Sequence, residues 1–195
     1  MKRTVCALLL AAGMMSGLSG CVGLVAAGAA GGALVATDRR TSGAYVDDQG
    51  IELKAADQMA GRLPSAHVNT TSFNRAVLLT GEVPSEAARS QAELIVRGLP
   101  NVRRVYNYLS VEPASSLSTR GNDTWITSKV RARLLEGKGY NPNDVKVLTE
   151  RGVVYMLGLV TQAEGAEAAR MVSETAGVQK VVTLFEYIQE VAPAK

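Results

Sequence analysis

The chain has 195 residues, of which 47% are hydrophobic and only 5% are aromatic, and its 21 basic side chains nearly balance 18 acidic ones. One histidine and two cysteines leave too few ligands or nucleophiles for a metal centre or a catalytic triad. No glycine-rich loop carries the Lys and Ser/Thr that would cradle a phosphate. We therefore expect a protein without enzyme activity, metal or cofactor, in which any cationic binding surface must be local.

Residues 1–20 have the form of a bacterial export signal, with a short basic start, an apolar run and small residues at its end. The run is too short to be a good membrane-spanning helix. Its last residues and the next one, "LSGC", resemble the lipobox of bacterial lipoproteins, in which a peptidase cuts before the cysteine and the cysteine is acylated. We predict that residues 1–20 are a lipoprotein signal peptide and that Cys21 carries lipid. A plain secretory signal with a chance cysteine is the alternative.

Lipidation of Cys21 has consequences for location and for stability. Loss of the signal removes Cys6, Lys2 and Arg3, which leaves no free thiol, no disulfide, and 19 basic against 18 acidic residues. Val22 follows the cysteine where lipoproteins retained in the inner membrane usually have aspartate. This resemblance implies the inner leaflet of the outer membrane, with the body in the periplasm, where nucleic acid is not an expected partner.

A segment rich in glycine and alanine, residues 21–48, begins at the acylated cysteine. It lacks a regular apolar period, and we interpret it as a flexible tether between the anchor and the body. In the alternative interpretation, residues 22–36 lie in the lipid interface. The arginine pairs at 39–40 and 103–104 are expected to be solvated charges.

The rest of the chain contains an internal repeat. The segment "VNTTSFNRAVLLTGEV" (68–83) aligns without a gap on "VKVLTERGVVYMLGLV" (145–160), and 84–111 aligns on 161–188 after a one-residue shift. Each copy begins with a helical segment, continues with two strands around a two-residue polar turn, and ends with an alanine-rich helix and a β-branched strand. We predict an α+β fold of two tandem αββαβ units, each a small three-stranded mixed sheet with two helices on one face. The predicted boundaries are 49–112 for the first unit, 113–122 for a linker, 123–190 for the second unit and 191–195 for a C-terminal tail.

The same patterns predict the cores of the two units. Gly81 and Gly158 stand at matching positions inside strands, where glycine usually marks a bulge or a close approach of backbone, so a side chain there should cost stability. His67, at the edge of a predicted strand, is expected to be a plain surface residue. The second helix of each unit has one apolar face, formed by Ala88, Ala92, Ile95 and Val96 in the first unit and by Ala168, Ala169, Val172 and Ala176 in the second.

Two such units, each with a mid-chain glycine two residues before a valine, resemble BON domains. A lipobox, an Ala/Gly tether and two of these units together resemble the dual-BON outer-membrane lipoproteins, and "NDTWITSKVRARLL" (122–135) and "GLVTQAE" (158–164) are especially similar to their second domain. The resemblance implies that the first helix of the second domain binds anionic phospholipid such as phosphatidylglycerol or cardiolipin. It also implies a role in envelope integrity, enrichment at the division site, and the outer-membrane protein assembly machinery as a partner.

Residues 122–135 hold the only tryptophan, and we predict a helix that begins after Asp123 or Thr124, either of which can cap it. With about 100° of rotation per residue, Ile126, Val130 and Leu134 form the face that packs on the sheet. An outward Trp and Leu with a basic border is typical of a helix at a membrane surface. The predicted phospholipid-binding residues lie on the outward face or flank it: Trp125, Ser128, Lys129, Arg131, Ala132, Arg133 and Leu135.

The first unit serves as an internal comparison for this helix. In its leading helix, Gly50 and Ala60 occupy the places of Trp125 and Leu135, which indicates a function particular to the second unit. Three alternatives remain open: Trp125 fills the interface between the units, its face binds a protein partner and makes the chain a periplasmic adaptor, or the helix self-associates in a structural dimer.

Overall fold

The computed structural model describes residues 38–189. The signal peptide, Cys21, the choice between tether and interface for residues 22–36, and the tail at 191–195 lie outside the described residues and stay predictions. The predicted α+β fold of two tandem units is confirmed, since each half of the described chain is a small mixed sheet with two helices.

The first domain follows the predicted order of elements. Its elements are α1 (Ser42–Arg62), β1 (His67–Phe73), β2 (Ala76–Val83), α2 (Glu86–Arg97), β3 (Arg104–Asn107) and β4 (Ser110–Val111). β1 and β2 form an antiparallel hairpin. The last strand is broken in two, because β3 and β4 both pair in parallel with β2.

The second domain repeats this arrangement with an unbroken last strand. Its elements are α3 (Leu117–Glu136), a short 3₁₀ turn (Pro142–Asp144), β5 (Val145–Glu150), β6 (Val153–Val160), α4 (Gln162–Ser173) and β7 (Lys180–Tyr187). β5 pairs antiparallel with β6, and β6 pairs in parallel with β7, so β6 is central.

The two hairpins have the same register at positions that the repeat aligns. Val68 lies opposite Gly81 in the first, and Val145 lies opposite Gly158 in the second. A Cβ on Gly81 would overlap the carbonyl oxygen of His67, and Gly81 has a φ of +106°, a conformation that side chains disfavour. At Gly158 a Cβ would lie 2.7 Å from the carbonyl oxygen of Asp144. At both glycines, a backbone carbonyl oxygen of the neighbouring segment thus lies closer than a Cβ atom would permit.

Helix α3 begins earlier than predicted. Its N-cap is Ser116, whose hydroxyl accepts a hydrogen bond from the Thr119 amide, so residues 117–122 of the expected linker are helical. The prediction of a cap at Asp123 or Thr124 was wrong because Asp123 is buried within the helix and its carboxylate binds the β5–β6 turn. Likewise α1 begins at Ser42, inside the expected tether, behind the N-cap Thr41.

Each domain has a core between its helices and one face of its sheet. In the first domain Ile51, Ala55 and Met59 of α1 pack with the buried face of α2, and in the second Ile126, Val130 and Leu134 of α3 are buried as predicted. For α4 one position was wrong: Ala176 is exposed because the helix ends at Ser173, and Met171 is buried instead. The helices therefore cover one face of each sheet.

The opposite faces of the two sheets pack on each other. Leu78 and Phe73 of the first domain form one apolar cluster with Tyr155 and Leu157 of the second. This explains why β2 is buried along its whole length, with Val77 and Leu79 turned to the helices and Leu78 turned to the other domain.

Candidate functional site

Helix α3 presents large apolar side chains to solvent. The side chain of Trp125 is 64% exposed and that of Leu135 is 72% exposed, while Ile126, Val130 and Leu134 are buried. Ser128 and Ala132, predicted for the same outward face, are also exposed. The alternative in which Trp125 fills the interface between the domains is therefore wrong, because the indole does not lie beneath the first domain.

Leu117 extends this outward face beyond the residues that the sequence predicts for it. The side chain is 83% exposed. It lies 18 residues, or about five helical turns, before Leu135, so both leucines project from the same side of α3. The repeat held the signal: the N-caps Thr41 and Ser116 both stand ten residues before the aligned Ile51 and Ile126.

The three predicted cations of α3 have different surroundings. Lys129 donates a hydrogen bond to the carbonyl oxygen of Ala176, which holds the ammonium against the end of α4. Arg133 forms an exposed ion pair with Glu136 at 3.0 Å. Arg131 is exposed and has no hydrogen bond or ion pair to any of the residues from 38 to 189. Arg131 is thus the predicted cation that is best placed to meet an external anion.

Two buried aspartates hold the hairpins to the leading helices. Asp123 accepts hydrogen bonds from the amides of Arg151 and Gly152, at 2.8 and 2.9 Å. Asp48 stands at the equivalent place in α1 and accepts from the Arg75 amide at 2.7 Å. The turn residues have positive φ, 64° at Arg75 and 49° at Arg151, as a two-residue hairpin turn requires. Each carboxylate thereby fixes the angle between its helix and its sheet.

An ion pair joins the two domains close to the residue that precedes the N-cap of α3. Glu82 of β2 is 1% exposed, and its carboxylate accepts from Arg151 Nε at 2.7 Å and from the amide and hydroxyl of Ser115. His67 Nδ1 lies 2.9 Å from the same carboxylate. Burial raises the pKa of Glu82, but the hydrogen bonds from Arg151, Ser115 and His67 outweigh it and set the pKa at about 2.

His67 is not the plain surface residue that the sequence suggested. Its side chain is 18% exposed, and ligand atoms of His67, Glu82 and Glu150 lie within 4.8 Å of one another. Burial raises the pKa of Glu150, which accepts a hydrogen bond from Asn69. Within residues 38–189 this is the group of side chains that could hold a divalent cation. The guanidinium of Arg151 already balances the charge of Glu82, and the amide and hydroxyl of Ser115 donate hydrogen bonds to the same carboxylate.

Both residues of the arginine pair at 39–40 form ion pairs, and of the two only Arg39 is exposed to solvent. Arg39 forms ion pairs with Glu164 at 2.6 Å and with Asp144 at 3.0 Å, and the hydrogen bonds from Arg39 are the main cause that lowers the pKa of Glu164 to about 2. The Arg40 side chain is 7% exposed and pairs with Asp48 at 2.8 Å. The sequence could not indicate this because the acids lie more than a hundred residues from Arg39.

No helix within the described part of the chain, 38–189, is both long and apolar enough to cross a membrane.

The BON domain family model matches residues 47–113 and 122–189. The chain is 38% identical over 174 residues to outer membrane lipoprotein DolP of Haemophilus influenzae, covering 88% of this chain and 90% of that one. It is 30% identical over 155 residues to a 21 kDa hemolysin of Actinobacillus pleuropneumoniae, covering 78% and 80% of the two chains. It is 31% identical over 144 residues to osmotically-inducible protein Y of Escherichia coli, covering 71% and 72%.

Proposed function

The chain belongs to the BON-domain family as a two-domain protein of the DolP type, and from this premise we propose that it is an outer-membrane lipoprotein that docks on anionic phospholipid through α3. Cys21 carries the acyl anchor, and the two domains lie in the periplasm against the inner leaflet. The protein performs no catalysis. It supports envelope integrity, acts at the division site, and has the outer-membrane protein assembly machinery as a further partner.

The exposure of Trp125 is the observation that carries this proposal. An indole that is 64% exposed, on a helix whose opposite side is buried, leaves most of its apolar surface in water. Tryptophan prefers the headgroup level of a membrane, where the ring is buried and the N–H stays hydrated. The equivalent Gly50 has no side chain to insert, so we assign the docking to the second domain.

The charges of α3 favour an anionic surface. The helix contains Arg120, Lys129, Arg131 and Arg133 against Asp123 and Glu136. The carboxylate of Asp123 is buried against the β5–β6 turn, which leaves Glu136 as the exposed acid of the helix. Each basic residue near an anionic lipid surface contributes about 1 kcal/mol, and this contribution weakens with salt.

Weak docking is sufficient because the anchor keeps the helix near the bilayer. Full burial of one leucine contributes roughly 1.5–3 kcal/mol, and Leu117 and Leu135 both project outward. A tethered surface binds at a high effective concentration, so a contact of a few kcal/mol is populated without any further interaction.

Tryptophan fluorescence provides the test, since Trp125 is the only tryptophan in the chain. The unacylated protein, with the signal removed and Cys21→Ser, is mixed with vesicles of phosphatidylcholine alone or with added phosphatidylglycerol. We expect a blue shift and co-sedimentation only with phosphatidylglycerol, and a reduction of both at high salt. Trp125→Glu should abolish co-sedimentation while the melting temperature stays unchanged.

Leu94→Glu is the matched control, because Leu94 is 69% exposed but lies on α2 of the first domain. It should bind vesicles like the wild type. Binding that ignores headgroup charge would reject the proposal in favour of a protein-interaction adaptor. Concentration-dependent mass in light scattering, lost with Trp125→Glu, would favour a dimer through α3.

A further inference from the structure

A groove between the two domains opens beside the docking face of α3. It encloses about 410 Å³, a size typical of small-ligand pockets. Tyr45 and Gln49 of α1 line its first-domain side, and Arg131, Leu135 and Asn143 line its second-domain side. Arg131 and Leu135 thus belong both to this groove and to the predicted phospholipid-binding set.

The groove is cationic. Arg40, Arg131 and Lys146 line it, and no aspartate or glutamate is among its lining residues. Arg40 and Lys146 are held from behind by Asp48 at 2.8 Å and by Glu52 at 2.6 Å. Since Arg131 bonds no acid within residues 38–189, the groove presents one cation without a counter-ion and two that are fixed in place.

The remaining lining suits an amphiphilic molecule. The amides of Gln49 and Asn143 are exposed at the groove and can hydrogen-bond hydroxyl groups, while the apolar walls include Phe73 and Leu134. The Arg40 guanidinium lies 4.1 Å from the centroid of the Phe73 ring, which holds this cation against the apolar wall. A phosphate with a polar, uncharged substituent and an apolar tail matches this combination.

We infer that the groove holds the phosphate and the hydroxylated headgroup of one anionic phospholipid, with the acyl chains leaving past Leu135 into the bilayer. This inference rests on the proposed docking of α3, and it adds that the first domain supplies one wall of the lipid site. The source is a lipid rather than a free phosphate because Leu135 makes the groove continuous with the membrane-facing side of α3. Headgroups with an ammonium are disfavoured, since that charge would lie beside Arg131, which no acid of residues 38–189 neutralises.

Gln49→Glu tests the contribution of the first domain. Gln49 is exposed on α1, so the variant should fold normally, and it places an acid at the mouth of the groove. We expect affinity for phosphatidylglycerol vesicles to fall about fivefold, the effect of one charge near a lipid phosphate. Gln91→Glu makes the same change on α2, away from the groove, and should bind like the wild type.

Comparison of Trp125→Glu with Gln49→Glu separates this inference from the proposed function. Loss of binding with Trp125→Glu together with equal binding by Gln49→Glu and Gln91→Glu would overturn the groove and keep the docking. Equal binding by Trp125→Glu and the wild type would overturn the docking instead. Gln49→Lys should bind more tightly than the wild type, and weaker binding would count against the groove.

A soluble probe identifies the ligand. Dihexanoyl-phosphatidylglycerol, below its micelle concentration, should shift the amide NMR signals of Gln49 and Asn143. Dihexanoyl-phosphatidylcholine should leave these signals unchanged. Equal shifts with inorganic phosphate would reject a lipid as the source, and an absence of shifts with phosphatidylglycerol would reject the site.

Discussion

Arg151, in the hairpin turn of the second domain, donates a hydrogen bond of 2.7 Å to Glu82, which is buried in the central strand of the first domain. The same guanidinium contacts Glu112 and the carbonyl oxygen of Pro113, in the segment that joins the domains. One side chain therefore links the first sheet, the connecting segment and the second hairpin. This ion pair and the apolar cluster around Leu78 hold the two domains together.

Arg151→Ala should lower the free energy of unfolding by about 3 kcal/mol, because Glu82 would keep a buried charge without its main partner. Chemical denaturation followed by circular dichroism measures this loss. Arg170→Ala is the control: Arg170 makes two ion pairs, with Glu167 and Glu174, but on the surface of α4, where such pairs contribute less than about 1 kcal/mol. Similar losses of unfolding free energy in the two variants would show that the Arg151–Glu82 ion pair stabilises the protein no more than a surface ion pair does.

Stability should fall in acid partly through Glu82. Its pKa is about 2 in the folded protein against an ordinary value of 4.5, so the charged form stabilises the fold. This contribution is complete above pH 4.5 and is lost as the pH falls toward 2. The difference in unfolding free energy between the wild type and Glu82→Gln should therefore shrink over that window. A constant difference from pH 6 to pH 2.5 would contradict the assignment.

Gly81→Ala should destabilise the protein by about 2–4 kcal/mol. The added Cβ would overlap the His67 carbonyl oxygen, and the φ of +106° is strained for any side chain. Gly121→Ala is the matched control, since nothing lies within 4 Å of a Cβ there and the residue is inside α3. That substitution should stabilise the helix by up to about 1 kcal/mol. Thermal melts should show a lower melting temperature for Gly81→Ala and an equal or higher one for Gly121→Ala.

Asp123→Ala should destabilise the second domain by about 1–3 kcal/mol, because the amides of Arg151 and Gly152 would lose a charged acceptor in a buried place. If Asp123 were only a helix cap, the substitution would reduce the protection of amides in the first turn of a helix alone. Amide hydrogen exchange at Arg151 and Gly152 distinguishes the two cases: we expect it to accelerate in the variant, and unchanged protection would contradict the contact.

Leu117→Ser should weaken binding to phosphatidylglycerol vesicles by about tenfold or more, the cost of one leucine that fails to enter the lipid. Leu53→Ser, at a residue that is 74% exposed on α1, provides the comparison. Equal affinities of the two variants would show that the docking face of α3 does not extend to Leu117.

The periodic features were predictable because they depend on near neighbours in the chain. The repeat predicted two hairpins with a glycine at the same place in each, and the rotation along a helix placed Trp125 and Leu135 outward and Ile126 and Val130 inward. The phospholipid-binding role of this outward face stays a prediction. The start of α3 was missed because Asp123 has the chemistry of a cap, and only the position of the β5–β6 turn shows where its carboxylate is used.

The sequence by itself determined the two-domain α+β fold, the close approaches at Gly81 and Gly158 and the outward position of the indole, since each follows from a spacing of a few residues. Only the tertiary structure decided the partners of the charges. It paired Glu82 with Arg151, 69 residues away, and it placed Arg131 at a groove whose other wall comes from α1. Charged side chains have no period that records a distant partner, because a long side chain can meet any opposite charge that the packing of the sheets brings within reach.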